Sequence, residues 1–428
     1  MNIILLGVNS IFLFLLALAF NKRSANVRIL FWPALTVKVV AGIALGLIYT
    51  YFYIEADTFY FFNDGIILAN QFRGNASIYF NFLWRGDASF TFWNQLTYHD
   101  YRSLFLVKFV SILNIITGNN YWFTSIYFSL ISFASAWRLL QALIKYFPAH
   151  KLAFIISCLC IPTVVFWSSG VIKESMELAS LFLITSVFLK FWMKDKINVI
   201  DVLLLFCSIW VLWQVKYYYA AILLPVLLTA MVVHKLYGVI KVKKPLVEIG
   251  LWFGVFVFPM LIVSFLKPNF HADNFLNVIV KNYYIYLQYS RPDAVIHYLN
   301  LQANVMSILL NSPWALFSCL FRPFLWEVGN VFQVIASIEN TILFVFTLFA
   351  IPRLKAALTS EQRLLFLSML VYIVLLGVFL ALSAPNFGTL SRFRAGFIPF
   401  YVMIICIDNP IIKGLSNFLE RTFPRLVR

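Results

Sequence analysis

Residues 29–65 read ILFWPALTVKVVAGIALGLIYTYFYIEADTFYFFNDG, an apolar run that breaks abruptly into a polar loop. The apolar part, 29–53, is long enough to cross a ~30 Å hydrocarbon core as a helix. The loop that follows, 54–102, holds Glu55, Asp57, Asp64, Asp87 and Asp100, five of the chain's 17 acidic residues. A protein that only packs or anchors has little use for carboxylates gathered where a helix meets water. An enzyme acting on a lipid-borne substrate needs a base at that depth, so this loop is the first candidate for an active site.

The rest of the chain continues the pattern. At 62% hydrophobic and 12% charged, with a mean hydropathy of +0.87, 428 residues do not make a soluble domain. The apolar runs are continuous rather than alternating, which favours helices over a barrel. Crossings are expected near 3–20, 29–53, 121–144, 152–167, 174–193, 198–214, 218–234, 246–266, 329–350, 364–383 and 395–409. The expected fold is therefore an all-α, polytopic transmembrane bundle of about 11–13 helices with interfacial helices in its outer loops. Residues 1–428 read as a single membrane domain, with 54–102 and 267–328 as its two large outer loops. Segment 103–117 is apolar but short and carries Lys108, which suits a re-entrant or interfacial helix. Ile3–Phe20 is followed by no small-residue cleavage site and reads as a retained crossing.

The net charge of +16 sits in short loops between apolar runs: 21–28, 146–151, 234–244, 352–355 and 413–428. That is the positive-inside arrangement of a multi-pass protein of the cytoplasmic (inner) membrane, facing anionic lipid. It gives the bilayer as a partner and argues against nucleic acid. The five cysteines lie in apolar segments and read as small packing residues. The five histidines show no metal-ligand spacing, and His271 with Asp273 makes at most a two-ligand divalent site. No cofactor is expected, and no Walker A, GxGxxG or serine-hydrolase motif is present.

Four clusters carry candidate chemistry. Asp57 and Asp64 lie two helical turns apart, so both carboxylates can project from one face of a helix leaving the membrane. A carboxylate partly desolvated near lipid is the better base for an incoming hydroxyl. PTVVFWSSGVIKES (162–175) breaks at Ser168-Ser169-Gly170 and restarts at Lys173 and Glu174, a helix start with a lysine that suits phosphate. APNFGTLSRFRAGFIPF (384–400) sets Arg392 and Arg394 before the last crossing, on the face opposite the basic loops. Those arginines need an anionic partner, either phosphate oxygens or an acid such as Glu174 or Glu327. In FRPFLWEVGN (321–330), Arg322 and Glu327 form a structural pair or contribute a further outward cation, as does Lys216 in WQVKYYY, which can also snorkel to the interface.

An acid just after an early helix, interfacial helices in an outer loop and outward cations at later helix ends resemble the C-type (GT-C) fold of integral-membrane glycosyltransferases. WSSGVIKES, RPFLWE and NFGTLSRFR also resemble multi-pass proteins of bacterial surface-polysaccharide assembly. The resemblance covers most of the chain as short islands. It implies a polyprenyl-phosphate-linked sugar as donor, a glycan or lipid-linked acceptor, Asp57 as base, and Lys173, Arg392 and Arg394 on the donor phosphate. Two features depart from that family: Ala56 separates Glu55 from Asp57, and no large soluble domain follows the last apolar run. A repeat-unit polymerase or ligase needs the same parts. A flippase or transporter of lipid-linked sugars and a non-catalytic assembly subunit are the readings from other classes.

Overall fold

Inside hydrocarbon a chain must pair its own N–H and C=O groups, and each described apolar run does so as a helix. The structure, a computed structural model, describes residues 3–22, 27–53, 57–239, 244–266, 272–352 and 359–422. Among the described residues the only strand-like pairing is one isolated bridge, Val295 with Asn386. Among the described residues seven helices are long and apolar enough to cross a membrane, and a pair bent by 69° makes an eighth if it is counted as one span. The protein is a helical, multi-pass membrane protein.

The first helices, α1 (Ile3–Lys22) and α2 (Arg28–Tyr51), are followed by α3 (Asp57–Gly74), α4 (Ala76–Arg85), α5 (Tyr101–Thr117) and α6 (Tyr121–Tyr146). α2 and α6 run antiparallel: Phe31 meets Trp137 at one end, while Gly46 meets Tyr121 at the other. Between them Gly42 lets the backbones close, because a Cβ there would lie 2.3 Å from Ser129 Oγ. The end where α2 finishes and α6 begins carries the candidate site.

α5 lies across that end rather than through the bundle. Its first turn meets Lys173 and Tyr217, its last turn meets Thr124, and all three belong to the same end. Asp100 caps α5 by accepting from Ser103 N at 3.0 Å, and Gly118 ends it with φ +65°.

From the opposite end the chain rises as α7 (Lys151–Ile155), one π-helical turn and α8 (Pro162–Trp167), then descends as α9 (Lys173–Trp192). The expected crossing at 152–167 is not one continuous helix: it breaks at Ile161, before Pro162. The turn 168–172, between the expected crossings 152–167 and 174–193, is buried beside Gly42 of α2. Gly170 adopts φ +76° there, and its N–H donates to Ser129 Oγ. Ser168 accepts from Lys38 of α2, so the break in the helix is closed by polar groups inside the bundle.

α10 (Val199–Val239) contains both expected crossings 198–214 and 218–234, joined at Lys216 with φ −150° and ψ 79°. Asp201 pairs with Lys190, Lys216 pairs with Glu174 and Glu177, and His234 packs 4.7 Å from Trp192. Both ends of α10 therefore reach the same end of α9, and the helix folds back at Lys216.

The remaining helices are α11 (Pro245–Leu266), α12 (Ala272–Tyr289), α13 (Val305–Phe321), α14 (Val331–Ala350), α15 (Ser360–Ser383), α16 (Phe387–Phe393), α17 (Ile398–Cys406) and α18 (Pro410–Thr422). α12 and the loop after it cover the site end, with Asn386 donating to Ser290 Oγ and Tyr298 Oη to Ala381 O. α15 begins with a capping box of Thr359 and Gln362. The bent pair α16–α17 places Arg392 and Arg394 at its corner, inside the bundle.

Candidate active site at one end of the bundle

Three helix interruptions converge: the turn before α9, the reversal of α10 at Lys216 and the bend between α16 and α17. Each delivers charged side chains to one buried cluster. Lys216 Nζ donates to Glu174 Oε1 at 2.8 Å and lies 2.7 Å from Glu177 Oε2. Arg392 Nε lies 2.8 Å from Glu174 Oε1, an ion pair without hydrogen-bond alignment, and its Nη1 donates to Asp57 Oδ2 at 2.9 Å. The Lys216 ammonium also sits 4.1 Å from the centre of the Phe393 ring. Charges inside a membrane bundle are costly unless paired, and here three carboxylates share two cations.

Asp57 is the member that reaches the surface. Its side chain is 46% exposed, against 1% for Glu174 and Glu177. Tyr98 Oη donates to its other oxygen at 3.1 Å, so both oxygens are held. Burial, then the neighbouring Asp57 carboxylate, holds the Tyr98 phenol far above its ordinary range, which keeps it a donor. Tyr53, whose phenol is also raised by burial, stacks on Phe332 at 6.3 Å, and Trp167 lies 5.9 Å from the Arg392 guanidinium. An aromatic face thus lies beside the guanidinium that holds the carboxylate.

The other acids of the 54–102 loop do different work. Asp64 is 1% exposed and accepts from Thr97 N and Tyr98 N at 2.9–3.0 Å, which fixes the segment carrying Tyr98. It does not face the cluster. Asp100 caps α5, and Asp87 pairs with Arg85 at the surface. Glu55 lies outside the described residues, as does His271 of the two-ligand metal guess. Among the described residues no group of three or more His, Cys, Asp or Glu is placed to hold a metal.

The cations expected to hold phosphate divide into two sets. Lys216 and Arg392 are bound by the acids of the cluster. Arg322 is forked onto Glu327, with Nε 2.9 Å from Oε1, so its structural reading holds. Arg394 is 1% exposed and lies 3.6 Å from Glu339, whose oxygens already accept from Thr163. Lys173 alone of the set makes no ion pair among the described residues; it is half-buried and donates to Ser103 Oγ at 2.7 Å. Arg102, its neighbour across α5, is exposed over the Tyr217 ring at 5.6 Å.

Sequence reasoning missed Glu177 and Tyr98. Glu177 carried a readable signal, since it stands three residues after Glu174 and so on the same face of α9. Tyr98 carried none, because only the fold of the loop brings it to Asp57. Comparison with protein-family models, curated proteins and solved structures finds no match.

Proposed function

We propose that this protein is a membrane glycosyltransferase. It moves a sugar from a polyprenyl-phosphate-linked donor to a glycan or lipid-linked acceptor at the outer face of the cytoplasmic membrane. The observation that carries this reading is the position of Asp57, the one carboxylate of the cluster open to the surface, with both oxygens oriented. Asp57 takes the proton of the acceptor hydroxyl as that oxygen bonds to the anomeric carbon. The anomeric C–O bond to phosphate breaks, and the lipid phosphate leaves with the electron pair. Lys173 and Arg102 stand where that departing charge develops, a role for preorganised cations in a partly water-excluded site. Arg392 anchors the base rather than the phosphate.

Cells lacking the protein test this reading by mass spectrometry of their lipid-linked glycans. Accumulation of one intermediate, cleared by the wild-type gene, supports transfer or polymerisation. An unchanged profile contradicts it.

A second reading, transport of lipid-linked sugars, draws on the three interrupted helices that meet at intramembrane charges. It separates from the first by sidedness: a transporter's loss strands the unaltered substrate on the face where it is made, whereas a transferase's loss leaves donor and acceptor together on one face.

A further inference from the structure

From the end of the bundle away from Asp57, an apolar cavity of about 390 Å³ runs inward among six helices. α6, α9, the second leg of α10, α15, α17 and α7 pack each against the next in a ring, and each gives side chains to the wall. Along α15 the wall follows one helix face, through Gln362, Leu365, Phe366, Met369 and Tyr372. The cavity therefore reaches about 15 Å inward from the first turn of α15.

Its polarity is graded along that length. His150, Gln362 and Asp408 lie at the outer end, where α6, α15 and α17 meet their loops, and none of the three is buried. The polar side chains deeper in already have protein partners. Thr185 Oγ1 donates to Leu181 O at 2.8 Å, Ser368 Oγ accepts from Trp252 Nε1 at 3.1 Å, and Tyr372 Oη donates to Gly396 O at 3.1 Å. A polar guest finds little to bind there, and an apolar cavity without polar partners stays dry and takes apolar guests. A void of this size also forfeits dispersion contacts along its wall, so a hydrocarbon guest that fills it is stabilised.

Charge selects among hydrocarbon guests. The basic segments next to these helix ends in the sequence, 146–151, 234–244, 352–355 and 413–428, carry eleven Lys and Arg against one acid, Glu420. A surface of that sign favours anionic headgroups. Asp408 at the rim is itself paired with Lys413 at 2.6 Å.

We propose that this cavity holds one hydrocarbon chain of an anionic phospholipid from the leaflet on the basic side, its headgroup at the rim beside His150 and Lys413. The site opens away from Asp57 and does not depend on the reading of that residue as a base.

The test is photo-labelling of the full-length protein in phosphatidylcholine vesicles. A minor fraction of the lipid is phosphatidylglycerol carrying a diazirine at the end of one acyl chain, and labelled peptides are located by mass spectrometry. α1, whose Ile4, Ile11 and Phe12 are exposed, reports ordinary contact with bulk lipid. Label is expected around Tyr372 and Phe400 as well as on α1. Thr185→Phe fills the cavity and is expected to remove the first label and leave the second. Excess unlabelled phosphatidylglycerol is expected to displace the cavity label while an equal excess of phosphatidylcholine leaves it, and this arm decides if the variant does not fold. Label on α1 alone, or cavity label that persists in folded Thr185→Phe, overturns the proposal. Equal cavity labelling by a phosphatidylcholine probe removes the anionic headgroup, and displacement by polyprenyl phosphate at lower concentration than by phosphatidylglycerol names a carrier lipid instead; either result overturns it too.

Discussion

Arg392 and Asp57 stand 335 positions apart in the chain and meet at 2.9 Å, the guanidinium Nη1 donating to the carboxylate Oδ2. The same guanidinium reaches Glu174 with its Nε at 2.8 Å. One planar side chain therefore ties the half-exposed carboxylate to the buried charges beneath it.

Arg392→Lys keeps the charge and loses the fork, so it cannot bridge Asp57 and Glu174 together. Activity is expected to fall at least tenfold at unchanged KM, because the base is mispositioned rather than the substrate released. The kcat and KM of the purified variant check this. A raised KM at unchanged kcat would place Arg392 on the substrate instead.

The cluster holds more carboxylates than cations, and this orders the effects of neutralising them. Glu177→Gln removes the deepest excess charge and is expected to leave the thermal midpoint unchanged or raised. Glu174→Gln strips the acid that both Lys216 and Arg392 share, and breaking such a buried pair costs about 3–5 kcal/mol. Unfolding midpoints of the two variants, measured side by side, reveal the order.

Asp64 is expected to act through the backbone alone. Asp64→Ala leaves the N–H groups of Thr97 and Tyr98 without their acceptor, at a cost of about 1–3 kcal/mol. Stability is the readout. Asp64→Asn is expected to recover part of it, since the amide oxygen still accepts.

Tyr98 stays protonated throughout the working pH range, because its phenol is held far above the ordinary value by burial and by Asp57. Tyr98→Phe is expected to lower activity by about 10–100-fold, the worth of one hydrogen bond to a charged group. The alkaline limb of the pH–rate profile is expected to be the same in wild type and variant. A limb that disappears with the hydroxyl would show that Tyr98 itself titrates.

Lys173 donates to Ser103 Oγ and makes no ion pair among the described residues, so Lys173→Gln is expected to weaken donor binding. The donor KM rises severalfold, and the fold of α9 persists because no ion pair is lost.

The helices were legible because apolar runs of membrane length admit few other structures. The reversal at Lys216 was also legible, as a lone cation between two runs. Depth was not. Ser168-Ser169-Gly170 looks like a surface turn by composition, yet Lys38 and Ser129 satisfy it inside the bundle. The pairing of Arg392 with Asp57 was equally hidden, since local spacing carries no information across most of the chain. Asp64 illustrates the converse: two helical turns put it in phase with Asp57, but the folded loop turned its carboxylate to Thr97 and Tyr98.

The most direct test of Asp57 as the base uses cells lacking the protein, complemented with wild type or with Asp57→Asn at matched membrane abundance. The readout is the mass-spectrometric profile of lipid-linked glycans. Asp57→Asn is expected to leave the accumulated intermediate in place while wild type clears it. A normal profile restored by Asp57→Asn would contradict the role of Asp57 and favour transport or assembly.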